Sequence, residues 1–470
     1  MKRPTNYRIF AILLGSLPAA VPLSAAIAGG GDDIMSGQAI VELVVGADIN
    51  EINDDYGTTT LASIEINVSD PDDGVRLYLL QLPDSWDEEE FEEWFDDDND
   101  PRIAEAELNY QAQAAEGQTE SFYFNVPPSG YFEQYAWGLI GLEAAHQVST
   151  GSGVVVALLD TGAEADHEAL VGHIVPGGFN FVDGNTDTSD VGNREDEDGD
   201  GFVDEMVGHG TFMAGIVAKV APDAGLLIVR VLDGDGTSGS FRVAQGMYYA
   251  VQHGADVISL SLAMSGGHEI LQDAVAYARQ SGVVVVAAAG NLDQPQAMFP
   301  ADESNTIGVA STDGDDRKSE FSNYGEHVSI SAPGTDIVSS VSNNAYGQWQ
   351  GTSISVSFVS GAAALLKANN PSASPDDIEQ TLADAADDLD PMNPAYEEML
   401  GAGRLNIPAA LPNNDNSPDI NQDGSVNTAD FLILLGSWGP CGNCADCPAD
   451  LNDDCAVGAA DLLILLGNWG

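Results

Sequence analysis

Residues 154–162 read VVVALLDTG. Every position from Val154 to Leu159 is apolar. Successive strand side chains point to opposite faces, so such a run needs cover on both sides. The pattern recurs in LLIVRVL (226–232), DVISLSL (256–262), VVVVAAAGN (283–291) and VSISAPG (328–334). Helical segments separate these runs, and one is well marked: Ser374-Pro375-Asp376-Asp377 supplies an N-cap, a proline at the first position and acids in the first turn. The expectation for this part of the chain is an α/β fold, a mostly parallel sheet with helices on both faces.

Open parallel sheets gather their functional groups at the carboxyl ends of strands. Asp160 ends the first run and Asn291 ends VVVVAAAGN. His209, in GHGTFMAG (208–215), stands where a loop enters an apolar helix. Ser353 stands at the same kind of junction, in QGTSISVSFVSGAAALL (350–366), ahead of Ser355, Ser357 and Ser360. Taken singly, each is ordinary: a turn aspartate, a capping histidine, a turn asparagine, a serine in a small-residue helix. Together they supply what acyl transfer needs. A serine hydroxyl is a poor nucleophile until a base takes its proton. A neutral imidazole is that base, and a carboxylate fixes its tautomer. A side-chain amide and a helix N-terminal N–H stabilise the oxyanion.

As a set, these residues resemble the subtilisin-like serine proteases (subtilases). The order Asp, His, Ser and the motifs DTG (160–162), GHGTFMAG (208–215), AAGN (288–291) and GTS (351–353) carry the likeness, over roughly 138–411. The resemblance implies a secreted endopeptidase with Asp160, His209 and Ser353 as catalytic triad and Asn291 as oxyanion donor. It implies that ADVISLSL (255–262), through Ser261 and Leu262 with the following Ala263, binds extended substrate. VRVLDGDGTSGS (229–240), with Leu232 and Gly236, resembles the loop forming the other edge. Met298 aligns with a segment flanking the specificity pocket and would narrow it. Ile354, Ser355 and Ser357 replace the usual Met, Ala and Pro, and Phe212 stands where a second histidine is frequent. The rival expectations are a catalytically inactive surface binding protein on the same scaffold and a hydrolase of esters.

Other segments extend this organisation. Lys2, Arg3 and Arg8, the apolar Ile9–Leu17 and Ala26-Ile27-Ala28 read as a signal peptide over 1–28. Residues 29–130 resemble an inhibitory propeptide with a processing linker: a small α/β unit whose strands are expected at 39–45, 75–82 and 102–110, with helices at 48–56 and from Ser85 in SWDEEEFEEWF. The catalytic domain would then span 131–411 and a polar linker 412–418.

ADFLILLGSWG (429–439) repeats as ADLLILLGNWG (460–470), so 419–470 reads as a helical paired-loop module. Asp419, Asn421, Asp423, Ser425, Asn427 and Asp430 fall at Ca²⁺-loop spacing. Asp450, Asn452, Asp454 and Asp461 predict a weaker second site, because Cys455 replaces the turn glycine. The module resembles a dockerin, which implies a cohesin-like anchoring partner and cell-surface attachment. Asp196–Asp204 is a third acidic loop, compatible with a bound Ca²⁺ or with solvation alone. Cys441, Cys444, Cys447 and Cys455 allow a zinc or iron–sulfur site by spacing, but export favours disulfides.

The net charge of −61, from 14 basic and 75 acidic residues, argues against nucleic-acid and anionic-lipid partners. No segment after the leader reaches the about 18 apolar residues of a membrane span.

Overall fold

The computed structural model describes residues 34–66, 74–86, 91, 100–115, 123–199, 201–264, 269–295, 298–411, 418, 420–421, 425–441, 447–452 and 454–469. The signal-peptide expectation lies outside these residues, as do most of the Glu-rich helix, Asp419, Asp423, Cys444 and the 412–417 linker.

Seven strands form a parallel sheet in the order Ile330–Pro333, Ile307–Thr312, Val284–Ala288, Val257–Leu260, Val155–Asp160, Gly225–Arg230, Phe179–Asn180. Val156 faces Val257 on one side and Leu226 on the other. The chain thus leaves the first long strand in one direction and returns on its other flank, the switch point where α/β sheets open a crevice. The apolar runs are buried along their length, as their lack of alternation requires.

Two helices cross this sheet side by side, His209–Val220 and Thr352–Asn369. Their small residues permit the contact: a Cβ on Gly361 would lie 2.6 Å from Val220 Cβ. The serines of the second helix are spoken for. Ser355 Oγ donates to the Ala332 carbonyl at 3.0 Å, and Ser360 Oγ to Ser259 Oγ at 3.0 Å. The helix Pro375–Asp384 starts at a Ser374/Asp377 capping box, as its sequence predicts.

The N-terminal unit pairs Ile34–Leu43 antiparallel with Val75–Gln81 and Ile103–Ala114, and Thr59–Ile66 with Val75–Gln81. Helix Ile49–Tyr56 covers one face, capped by Asp48. Val41 and Leu43 pack under this helix with Ile52, while Ile40, Ile64 and Leu77 join the protease core. Two expectations are corrected. Thr59–Ile66 is a strand that the sequence reading did not mark, and the last strand runs to Ala114 rather than ending near Tyr110. The first pairs with the next strand in the chain, Val75–Gln81, and the extension of the second with the distant Thr237–Gly239 and Leu262–Ala263.

At the C-terminus, helices Thr428–Gly436 and Ala459–Gly467 pack around Leu434, Leu451, Val457 and Leu465. Cys441 and Cys447 form a disulfide, and Cys455 is disulfide-bonded as well. Among the described residues no helix is long and apolar enough to cross a membrane.

Candidate active site

The carboxyl end of Val155–Asp160 delivers Asp160 beneath the first turn of the His209 helix. His209 Nδ1 lies 2.7 Å from Asp160 Oδ1, with the imidazole fully buried and Asp160 2% exposed. The same oxygen accepts the Thr161 N–H at 2.7 Å. Such closeness demands glycine: a Cβ on Gly210 would sit 2.1 Å from the Gly162 carbonyl oxygen. Trp349 stands edge-on to His209, centroids 5.4 Å apart at 87°, and Phe212 backs Trp349 at 6.0 Å. The aromatic at 212 therefore packs behind the site.

Ser353 occupies the first turn of its helix and is buried. Its Oγ donates to the Ser261 carbonyl at 3.1 Å, while Ser261 Oγ donates to the Ser353 carbonyl at 3.2 Å. Asn291 follows the strand Val284–Ala288. Its Oδ1 accepts the Thr352 N–H and the Thr352 hydroxyl, both at 2.9 Å. That fixes the amide so that Nδ2 points away from the helix, and Nδ2 donates to the Ala115 carbonyl at 2.8 Å.

Ala115 ends an extended segment lying between two strands of the protease body. Gln111, Ala112 and Gln113 pair antiparallel with Gly239, Ser238 and Thr237. Gln113 and Ala114 pair antiparallel with Ala263 and Leu262 on the other side. Ala114 N–H reaches the Gly236 carbonyl at 2.8 Å, and Ala115 N–H the Ser261 carbonyl at 3.5 Å. Ser261, Leu262, Ala263 and Gly236 thus all meet this segment. Leu232 does not: it is buried in the core with its N–H on the Asp160 carbonyl at 3.2 Å. The edge lies further along, because the turn at Asp233–Gly236 brings Thr237–Gly239 alongside. Met298 lies against Gly290, where an added Cβ would be 2.7 Å from Met298 Cγ.

One residue escaped the sequence reading. Asp190, 4% exposed, accepts from Thr161 Oγ1 and the Gly208 N–H, each at 3.0 Å, through Oδ1. Its Oδ2 accepts from the Thr211 N–H at 3.0 Å and the Thr211 hydroxyl at 2.7 Å. Arg230 holds the carbonyls on both sides, Ser189 at 3.0 Å and Val191 at 2.9 Å. Asp190 thereby ties the Asp160 turn to the His209 helix. In sequence it is one acid among many in a polar loop, and nothing local marks it.

The third acidic loop also gains a member. Carboxylate oxygens of Asp196, Asp198 and Asp235 lie within 4.8 Å of one another, with Asp235 contributed by the Asp233–Gly236 turn. Asp204 serves the loop itself, accepting the Asn193 and Arg194 N–H groups at 2.8 and 3.0 Å.

In the C-terminal repeats, Asp430 is buried and accepts the Asn421 N–H at 2.9 Å and the Asn427 N–H at 2.8 Å. Ser425 turns its carbonyl to the Asn427 amide at 2.9 Å. Asp461 is equally buried, with Oδ2 on the Gly458 N–H at 2.7 Å and Oδ1 without a hydrogen-bond partner among the described residues. Asp450 Oδ1 and Asn452 Oδ1 both face the Asp454 N–H, at 3.2 and 3.1 Å.

The family model described as "Subtilase family" matches residues 151–403. Thermitase from Thermoactinomyces vulgaris is 41% identical over 56% of this chain and 92% of its own length. Subtilisin BL from Lederbergia lenta is 36% identical over 58% of this chain and 97% of its own. Among solved structures, fervidolysin from Fervidobacterium pennivorans, titled a keratinolytic enzyme related to subtilisin, superposes with a TM-score of 0.65 at 22% identity. That match covers 85% of this chain and 64% of that one, and it supports the fold alone. The buried Asp–His pair, the serine at a helix start and the family match over more than half the sequence lead to one conclusion: the chain belongs to the subtilase family and is a subtilisin-like serine endopeptidase.

Proposed function

We propose that this endopeptidase is made as a secreted proenzyme and that its own segment up to Ala115 is its first substrate and then its inhibitor. The observation that carries this is the bond from Asn291 Nδ2 to the Ala115 carbonyl, 2.8 Å, on a segment paired on both edges. A donor at that place meets the oxygen on which charge develops.

In this reading Asp160 holds His209 by Nδ1, leaving Nε2 to take the proton of Ser353 Oγ. Oγ attacks the carbonyl carbon, and the carbonyl π-electrons move to the oxygen held by Asn291. The imidazolium, steadied by Asp160, then gives its proton to the leaving amine as the C–N bond breaks. The released side begins at Glu116. Water, deprotonated by His209, hydrolyses the acyl-enzyme and restores Ser353. The free N-terminal unit stays bound through its sheet pairing until it dissociates. An alanine at the cut suits a pocket that Met298, packed against Gly290, would narrow to small side chains.

The C-terminal module would bind Ca²⁺ and engage a cohesin-like anchoring protein. The chemistry of Asp461 fits a cation: a fully buried carboxylate oxygen without a donor is costly to bury uncompensated. Asp450, Asn452 and Asp454 would complete that site. Asn421, Ser425, Asn427 and Asp430, with Asp419 and Asp423, would hold the ion of the first loop. Ca²⁺ at Asp196, Asp198 and Asp235 would brace the loop that leads into the His209 helix.

The test is to express the full chain and its Ser353→Ala variant, then sequence the N-termini of all fragments. The reading expects a cut between Ala115 and Glu116 in the wild type and an uncut variant. A wild-type chain that hydrolyses casein while still joined at that bond would overturn it.

A further inference from the structure

Where the N-terminal unit sits on the protease body, five carboxyl groups meet. Glu42 comes from strand Ile34–Leu43, Glu105 and Glu107 from strand Ile103–Ala114, and Glu269 and Asp273 from helix Glu269–Gln280. Alternation along the first strand sends Val41 and Leu43 toward the unit's own helix, and Ile40 and Glu42 toward the protease. Carboxylate oxygens of Glu42, Glu105 and Asp273 all lie within 4.8 Å of one another. Glu105 is hydrogen-bonded to Glu269, acid to acid, and Glu107 accepts the Ile270 and Glu269 N–H groups at the start of the helix.

The other groups facing this cluster are few among the described residues. Arg76, 7% exposed, acts on Glu42 from strand Val75–Gln81 while its Nε donates to the Leu43 carbonyl at 3.0 Å. Tyr248 and Tyr277 lie on the protease side with ring centroids 5.0 Å apart, and burial keeps the Tyr248 phenol protonated. An interface usually matches opposite charges. This one sets acid against acid, and a carboxyl–carboxyl hydrogen bond exists only while one partner holds a proton.

We propose that the contact is a proton-dependent latch: protons shared among Glu42, Glu105, Glu107 and Asp273, packed against the start of the Glu269–Gln280 helix, hold the severed N-terminal unit on the protease, and their loss releases it. The inference rests on the reading of that unit as an inhibitor cut after Ala115.

The direction follows from linkage. Burial, with the hydrogen bond to Glu269, raises Glu105 to about 8, and burial raises Glu107 to about 7. Burial also pushes Glu42 and Asp273 upward. Once the two parts separate, these carboxyls return toward the ordinary value of about 4.3. The complex therefore holds more protons than its separated parts. Its stability is complete below the free value and is lost as pH rises through about 7 to 8.

The experiment uses the processed wild-type protein and the Glu105→Gln/Asp273→Asn double variant. Glutamine and asparagine keep hydrogen-bonding capacity but never ionise. N-terminal sequencing first establishes the cut, and co-elution on gel filtration reports whether the 29–115 fragment is retained. The rate at which activity on a peptide substrate appears is then read at about pH 5.5 and about pH 8.5, either side of the window. The latch predicts that wild-type release is at least about tenfold faster at the higher pH, while the double variant, in which Glu42 and Glu107 still titrate, shows a ratio at least about threefold smaller. If the two proteins show the same pH dependence after a verified cut, the latch is overturned and the inhibitor reading stands. If the wild type is active without any cut after Ala115, both are overturned.

Discussion

The side-chain amide of Asn291 donates to the carbonyl oxygen of Ala115 at 2.8 Å, across 176 positions of sequence. Thr352 holds the other end of that amide with its N–H and its hydroxyl, so the donor's aim is set before any substrate arrives. Preorganisation of this kind costs no rearrangement when charge appears on the oxygen.

Replacing Asn291 by Leu should therefore lower kcat by about 10² to 10³, or about 3–4 kcal/mol of barrier, with little change in KM. Steady-state rates on a peptide ending in alanine before the cut would show it. A fall in KM-dependent binding alone would argue that Asn291 is a substrate contact rather than an oxyanion donor.

Most of the central sheet was legible because Val155–Asp160, Gly225–Arg230, Val257–Leu260 and Val284–Ala288 are near-continuous apolar runs, a signature that survives without partners in view. The four catalytic candidates were legible for a related reason: each sits at a strand end or helix start, where local pattern fixes its place. What the sequence could not show depends on strand pairing. Thr59–Ile66 becomes a strand through pairing with Val75–Gln81. Gln111–Ala114 becomes one only because Thr237–Gly239 and Leu262–Ala263 flank it. Leu232 follows from the resemblance of the 229–240 loop alone; the turn DGDG (233–236) carries the chain past it, so that Thr237–Gly239 lies beside Gln111–Gln113.

Met298 lies against Gly290, directly before Asn291. If Met298 narrows the specificity pocket, Met298→Gly should open it and raise kcat/KM for substrates with Phe before the cut by at least about tenfold relative to Ala, the scale of a few methylenes in a pocket. Paired peptides differing only at that residue give the ratio. An unchanged ratio would mean that Met298 lines something else.

Asp461 carries a buried oxygen with no protein donor. If a cation satisfies it, Asp461→Ala should reduce bound Ca²⁺ by one ion per chain in equilibrium dialysis of the full protein. Chelation should lower the melting temperature of the wild type, since a ligand held only by the folded state adds stability. Equal stoichiometry in variant and wild type would remove the second loop from the set of metal sites.

Asp190 touches neither Ser353 nor Ala115 in any hydrogen bond, yet it accepts four bonds from both sides of the Asp160–His209 pair. Gly208 and Thr211 belong to the start of the histidine helix, and Thr161 to the aspartate turn. Asparagine in its place has one acceptor oxygen instead of two, so one set of donors loses its partner and the two backbones drift apart. A displacement of about 1 Å between catalytic groups costs on the order of 10²-fold in rate. Asp190→Asn should thus lower kcat by about tenfold to a hundredfold and slow serine-directed phosphonate labelling equally, while KM stays within about twofold. A variant that melts early but labels and turns over like the wild type would reduce Asp190 to a stabilising contact, because only positioning of His209 moves the chemistry without moving binding.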